Sequence, residues 1–219
     1  MLNRLRTRYN QFVEHQKEHG LLSACKIVVY KYEEAVPVEK DLSLLKPLQK
    51  IKGDEFRIQE VTEATFARLG LPYTYGSRRE RAPGYFRNGY QSFVLIKNHR
   101  VVGDIWYVTA ATAKRKPEHP HLRWFDIELG KDQVYMFDMF VDPRERGSAV
   151  TTFFLHSVLH LWKDRGYSKA YGYFVADYVP ALWVHRLLGY QERPHHIVRR
   201  YLMFDTVRKK LPRTPLPIG

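Results

Sequence analysis

The sequence predicts an α/β protein built on a mixed central sheet, and three observations predict it. Between residues 134 and 191 the apolar positions follow strand, turn, helix, strand and helix periods in succession. Residues 93–97 and 101–108 are apolar runs flanking Asn98-His99-Arg100, the pattern of an antiparallel hairpin. A chain of 219 residues with 44% hydrophobic content and a single cysteine can bury one substantial core and forms no internal disulfide.

The central segment opens with a strand over 134–141, VYMFDMFV, and the polar turn Asp142-Pro143-Arg144-Glu145-Arg146-Gly147. A helix over about 148–165 then puts Val150, Phe153, Phe154, Val158 and Leu161 on one face. Gly166 ends it as a C-terminal glycine does. A second strand over about 170–175 leads to a short helix over about 180–188, closed by Gly189. Strands on either side of the long helix are expected to run parallel.

The start of that helix is the first place to look for chemistry. Its leading N–H groups lack internal partners and carry the positive end of the dipole. A turn with two arginines and a glycine just before it reads in two ways. It is an anion site suited to phosphate or pyrophosphate, or a plain strand-to-helix turn with solvated arginines.

At these residues the chain resembles the acyl-CoA-binding segment of the GNAT acyltransferase superfamily. Val141-Asp142-Pro143 is similar to the family's strand ending in V-x-P. Arg146-Gly147-Ser148-Ala149-Val150-Thr151 is similar to R-G-x-G-x-G/A, and Asp164-Arg165-Gly166-Tyr167 to the helix close. The second family signature, P-A-x-x-x-Y-x-x-x-G-F, resembles 180–190, from Pro180-Ala181 to Gly189-Tyr190. The likeness covers about 56–204. Departures are Ala149 and Thr151 at glycine positions, His185 at the usual tyrosine, and Tyr178 at a common asparagine. Ala149 costs little where its φ stays negative, and Thr151 crowds or bonds a phosphate.

The resemblance implies a GNAT-like mixed sheet flanked by helices and an N-acyltransferase. Acetyl-CoA or another acyl-CoA is the implied co-substrate, with no metal, and a small-molecule amine the acceptor. Phe140 and Val141 would pair their backbone with the pantetheine arm. Arg146, Gly147, Ser148, Ala149, Val150 and Thr151 would hold the pyrophosphate. His185 stands as the acid for the leaving thiolate because imidazole titrates near neutrality, with Tyr178 or Tyr173 as phenolic substitutes. Asp138 shares the strand face of Phe140, opposite Met139 and Val141. A carboxylate there requires a partner, so it is a base, an acceptor-binding group, or half of a salt bridge.

Net charge is +13. Its basic clusters are scattered, without RNA-reading aromatics, zinc-finger spacing or a helix-turn-helix, so nucleic acid is a disfavoured partner. Acidic acyl carrier protein is an alternative donor, and a non-catalytic CoA- or nucleic-acid-binding protein is another alternative. No apolar run reaches the length of a membrane span and no secretory leader is evident, so the expected location is cytoplasmic. No signal bears on oligomeric state.

Three regions are expected overall. Residues 1–53 form an amphipathic helical appendage with a connecting segment, 54–206 the acyltransferase domain and 207–219 an extended Pro-rich tail. Leu2, Leu5, Tyr9 and Phe12 stripe the first helix opposite Arg4, Arg6 and Arg8. That helix docks on its own domain or lies on an anionic membrane. Cys25 lies among apolar residues and is expected to be an inert thiol. Residues 56–61 alternate as a strand, Thr62 caps a helix, and Thr65 stands where a capping box wants Glu or Gln. Residues 70–90 interleave Tyr73, Tyr75, Tyr85, Phe86 and Tyr90 with arginines; this reads as a loop, either an acceptor wall or aromatic packing. The pairs His15/His19 and His156/His160 have the four-residue spacing of metal ligands but no supporting third side chain, and His119 and His121 read as loop histidines.

Overall fold

A computed structural model describes residues 30–48, 56–113, 119–146, 149–201 and 204–210. The expected N-terminal helix, Cys25, His15 and His19, Gly147, Ser148 and the tail from 211 lie outside the described residues.

One mixed sheet organises the rest. Its strands are β1 (Tyr30–Asp41), β2 (Phe56–Val61), β3 (Gln91–Lys97), β4 (Arg100–Thr109), β5 (Gln133–Val141), β6 (Lys169–Val175), β7 (Gln191–Glu192), β8 (His196–Tyr201) and β9 (Phe204–Lys209). They run in the order β2-β3-β4-β5-β6-β1-β8-β9, with β7 pairing onto β1. Among the described strands β5 and β6 pair in parallel, as expected of strands joined through a helix, and the other strand pairs are antiparallel. The β3–β4 turn is Asn98-His99, both at positive φ (48° and 60°), the two-residue geometry that matches the right-handed strand twist.

The helices are α1 (Glu63–Leu69), α2 (Gly76–Arg87), α3 (Ala110–Ala113), α4 (Pro120–Trp124), α5 (Val150–Asp164) and α6 (Val179–Leu187). Side-chain alternation along β5 divides them between two layers. Val134 and Met136 join the core under α5, with Phe154, Val158 and Trp162. Tyr135 and Phe137 join the core under α2 and α4, with Ala82, Phe86 and Leu122. The α5 stripe is Val150, Phe154, Leu155, Val158, Leu159 and Trp162; Phe153 and Leu161 flank it. Burial of each large apolar side chain in that stripe contributes about 1.5–3 kcal/mol. At α1 the capping box forms with Thr65 in place of Glu: its hydroxyl accepts from Thr62 N at 2.8 Å.

Three differences from the sequence expectations follow. The sheet extends N-terminal to residue 54, where the acyltransferase domain is expected to start, since β1 lies inside it, pairing β6 over Ala35–Asp41 and β8 over Tyr30–Ala35. Its Pro37 fits a central strand because it falls where β1 has left β8 and has not yet met β7, so the missing N–H interrupts no ladder. Residues 76–87 are a helix rather than a loop, despite Pro83 within it. The paired strand β9 lies partly in the segment expected as tail.

Candidate active site: the opening between β5 and β6

The parallel strands β5 and β6 pair at only three positions, ending with Tyr135 and Tyr171. β5 continues to Val141 and β6 to Val175 without sharing another pair. From Met136 onward, the β5 amides and carbonyls that face β6 therefore have no strand partner there, and a wedge opens in the sheet. On the other side of β5 the register with β4 slips. Asp104 pairs Phe140 and Trp106 pairs Phe137, so Asp138 and Met139 stand opposite Ile105 alone. This bulge puts Asp138 at φ 48° and re-aims the backbone at the mouth of the wedge. Gly103 permits it: a Cβ there would lie 2.9 Å from the Phe140 carbonyl oxygen.

The bulge is held by an ionic cluster. Arg78 on α2 donates from NH1 to the Asp138 carboxylate (2.8 Å) and from NH2 to the Asp138 backbone carbonyl (2.7 Å). Its Nε bonds Asp104 Oδ2 at 3.1 Å, and its NH2 also bonds Asp104 Oδ1. Arg81 NH1 (2.5 Å) and Tyr85 Oη (2.9 Å) complete the Asp138 carboxylate. Burial raises the Asp138 pKa, but the Arg78 and Arg81 guanidiniums outweigh it and hold the group well below the usual carboxylate range. Asp138 is thus a salt-bridge residue in this geometry, and a poor base.

Phe140 lies between Tyr75 (ring centroids 5.0 Å), Arg78 (5.2 Å) and Arg146 (5.8 Å). The aromatic run 70–90 divides accordingly. Phe86 and Tyr90 are buried in the core, while Tyr75 and Tyr85 meet the β5 stretch from Asp138 to Phe140.

Beyond Val141 the chain makes a tight turn. Asp142, buried, accepts from the Arg144 amide (3.0 Å) and pairs with its guanidinium (2.8 Å). That hydrogen bond holds the Asp142 carboxyl low, against a smaller effect of burial. Arg146 is tethered through Nε to the Val141 carbonyl (2.9 Å). α5 begins at Val150, and among the described residues its cap position, Ala149, offers no side-chain hydrogen bond to the helix N-terminus. Its cap residue Ala149 is left-handed (φ 64°), outside the negative φ at which an alanine there costs little. A non-glycine residue held there costs roughly 1 kcal/mol. Val150 packs in one core with Val141 and Phe174, which sets the α5 N-terminus beside the wedge. Phe140, Val141, Arg146, Ala149, Val150 and Thr151 are therefore contiguous in the fold.

The expected acid is less well placed. His185 donates from Nδ1 to the Ala181 carbonyl (2.7 Å) and packs on Phe174 and Tyr190 (5.1 and 4.8 Å). Burial lowers its pKa, more than the Ala181 bond raises it, so the neutral imidazole is favoured and has no spare proton for a thiolate. Burial likewise raises the Tyr173 phenol, making it a poor donor. Tyr178 heads α6, half exposed, with its amide on Val175 at the end of β6 (2.9 Å).

Sequence reading missed His119. It is buried against Phe137 (4.1 Å) and Tyr90 (5.1 Å), caps α4 by accepting from His121 N, and is pushed by burial down to about 3. The signal was His119-Pro120, a cap followed by a first-turn proline. His121 Nδ1 bonds Tyr135 Oη at 2.9 Å. Two cavities lie away from the wedge, one lined by Val61, Phe66, Leu71, Tyr73 and Arg79, the other by Trp124, Asp126, His196 and Asp205. Among the described residues no helix is long and apolar enough to cross a membrane, and no three His, Cys, Asp or Glu side chains converge on a metal position.

This architecture is the fold of the GCN5-related N-acetyltransferases. No protein-family model and no curated protein matches the chain; solved structures do. One is the GCN5-related N-acetyltransferase of Sphaerobacter thermophilus, with TM-score 0.50 and 11% identity over 84% of this chain and 57% of that one. A GCN5-related N-acetyltransferase-like protein from Streptococcus suis gives TM-score 0.52 and 12% identity over 84% and 68%. The glucosamine N-acetyltransferase region of a fungal multi-domain β-N-acetylglucosaminidase gives TM-score 0.52 and 17% identity over 85% and 23%. The chain thus spans little more than half, or less, of several of the structures it resembles.

Proposed function

We propose that the protein is an acyl-CoA-dependent N-acyltransferase, acetyl-CoA being the default donor and a small-molecule amine the acceptor. One observation carries this: the edge of β5 beyond Tyr135, unpaired with β6 and bulged at Asp138, ends at Val141, which packs in one core with Val150 in the first turn of α5. A strand edge can pair with the amide groups of a pantetheine arm, and a helix N-terminus takes a diphosphate. In this reading Phe140 and Val141 hold the arm. Arg146, Gly147, Ser148, Ala149, Val150 and Thr151 hold the phosphates, and a bulge amide polarises the thioester carbonyl.

The reaction is direct transfer. The amine lone pair attacks the thioester carbon, the C–S bond breaks, and the sulfur leaves as thiolate. The amine proton passes to water, since Asp138 is committed to Arg78 and Arg81. Tyr178 is the group assigned to protonate the thiolate, because the His185 Nδ1 proton is committed to the Ala181 carbonyl.

Titration of the full chain with acetyl-CoA, followed by thiol release across an amine panel, tests the proposal. Saturable binding with thiol release that falls in Tyr178→Phe supports it; no binding of acetyl-CoA or CoA overturns it. A second reading, a CoA-binding protein without chemistry, is favoured by the commitment of both Asp138 and His185 to structural partners. Binding without thiol release would establish that reading. Preference for an acyl carrier protein thioester would instead assign the donor to that carrier.

A further inference from the structure

On the outer side of α5, two histidines and a carbonyl meet at one point. His156 and His160 are one helical turn apart, and their Nε2 atoms are 3.2 Å apart. Both face the backbone oxygen of Lys46, at 3.2 and 3.0 Å. Residue 46 follows the short helical turn Leu42–Leu44, so three ligand-type atoms from two distant segments form a nearly equilateral triangle.

No distribution of protons satisfies all three contacts. With both Nε2 atoms protonated, both donate to the carbonyl, but their N–H groups oppose each other. With one protonated, the bare nitrogen and the carbonyl oxygen meet lone pair to lone pair. A cation above the triangle satisfies all three at once. Tetrahedral coordination with bonds of about 2.0–2.1 Å requires ligand–ligand edges of about 3.3–3.4 Å, close to those present.

We propose that His156, His160 and the Lys46 carbonyl form a site for a divalent transition metal that accepts imidazole, zinc first, with its fourth position open to water. His156 is buried and His160 half exposed, so metal can enter from the His160 side. The Lys40 ammonium lies nearby and opposes a cation, although it is occupied by the Gly189 and Leu44 carbonyls (3.2 and 3.4 Å). Affinity in the micromolar range is therefore expected, not the tight binding of a four-ligand site. Bound metal would fasten residues 45–48 to α5 and does not depend on the acyltransferase reading.

The test is calorimetric titration of untagged, chelator-stripped full chain with zinc chloride and nickel chloride, beside thermal melts. Wild type is expected to show one saturable site and a melting temperature that rises with zinc. In His160→Gln and His156→Gln, affinity falls about tenfold or more and the rise disappears, while His15→Gln/His19→Gln keeps both. Unaltered binding in His160→Gln overturns the proposal, as does the absence of saturable binding in wild type. Should His156→Gln fail to fold, the half-exposed His160 still decides.

Discussion

Arg78 grips Asp138 twice, by its carboxylate at 2.8 Å and by its backbone carbonyl at 2.7 Å. The second bond belongs to the bulge itself, so one guanidinium fixes both the charge and the backbone at the mouth of the wedge. Asp138→Asn keeps a residue that tolerates positive φ and removes only the charge. It is expected to cost about 3–5 kcal/mol near neutral pH, as for a broken buried pair. Asp138 has its pKa depressed by folding, so its contribution is present above about pH 3.9, the unfolded carboxyl value, and is lost as pH falls through the folded value. Urea melts of both proteins should therefore converge in acid; a constant gap would contradict the charge assignment.

His119 gives the opposite end of the same argument. Folding lowers its pKa to about 3 from an ordinary 6.5, so the unfolded chain takes up a proton first. Stability is full above about pH 6.5 and declines toward pH 3, by up to about 1.4 kcal/mol per pH unit for this proton. His119→Asn, which retains a capping side chain, is expected to flatten that slope by one proton, measured as the pH dependence of the unfolding midpoint.

Ala149→Gly removes the left-handed strain at the head of α5. A gain of about 1 kcal/mol in denaturant unfolding is expected, with CoA affinity kept or raised. A loss of stability would mean that the Ala149 methyl has a packing role.

Gly103→Ala presses a methyl to 2.9 Å from the Phe140 carbonyl, and backbone cannot turn aside as a flexible side chain can. Destabilisation of about 1–3 kcal/mol is expected, together with weakened CoA binding, because the shift falls on the bulge. Calorimetry and a thermal melt on the same sample measure both.

The segment from β5 to α6 was legible because its periods are clean and its strands carry little but apolar residues. β1 was not: Glu33, Glu34, Lys40 and Pro37 read as a polar connector, yet each is accommodated by a neighbour. Lys40 reaches the Gly189 carbonyl, and Glu34 meets His195 and Lys210 at 2.6 Å. α2 was hidden in the same way, since Gly76, Pro83 and Gly84 argue against a helix that Arg78 and Arg81 hold in place from one side. For Asp138, alternation gave its face correctly, but only the structure chose the salt bridge over the base. His185 matched a signature position, and its hydrogen bond to the Ala181 carbonyl, invisible in one dimension, commits its Nδ1 proton.

β1 also imposes an order on the making of this protein. Made well before its partners, it must wait for residues 169–175 on one flank and 196–201 on the other before its ladders close. Until then both edges of a twelve-residue strand are without their partners. Slow, late-closing folding follows from so much sequence separation.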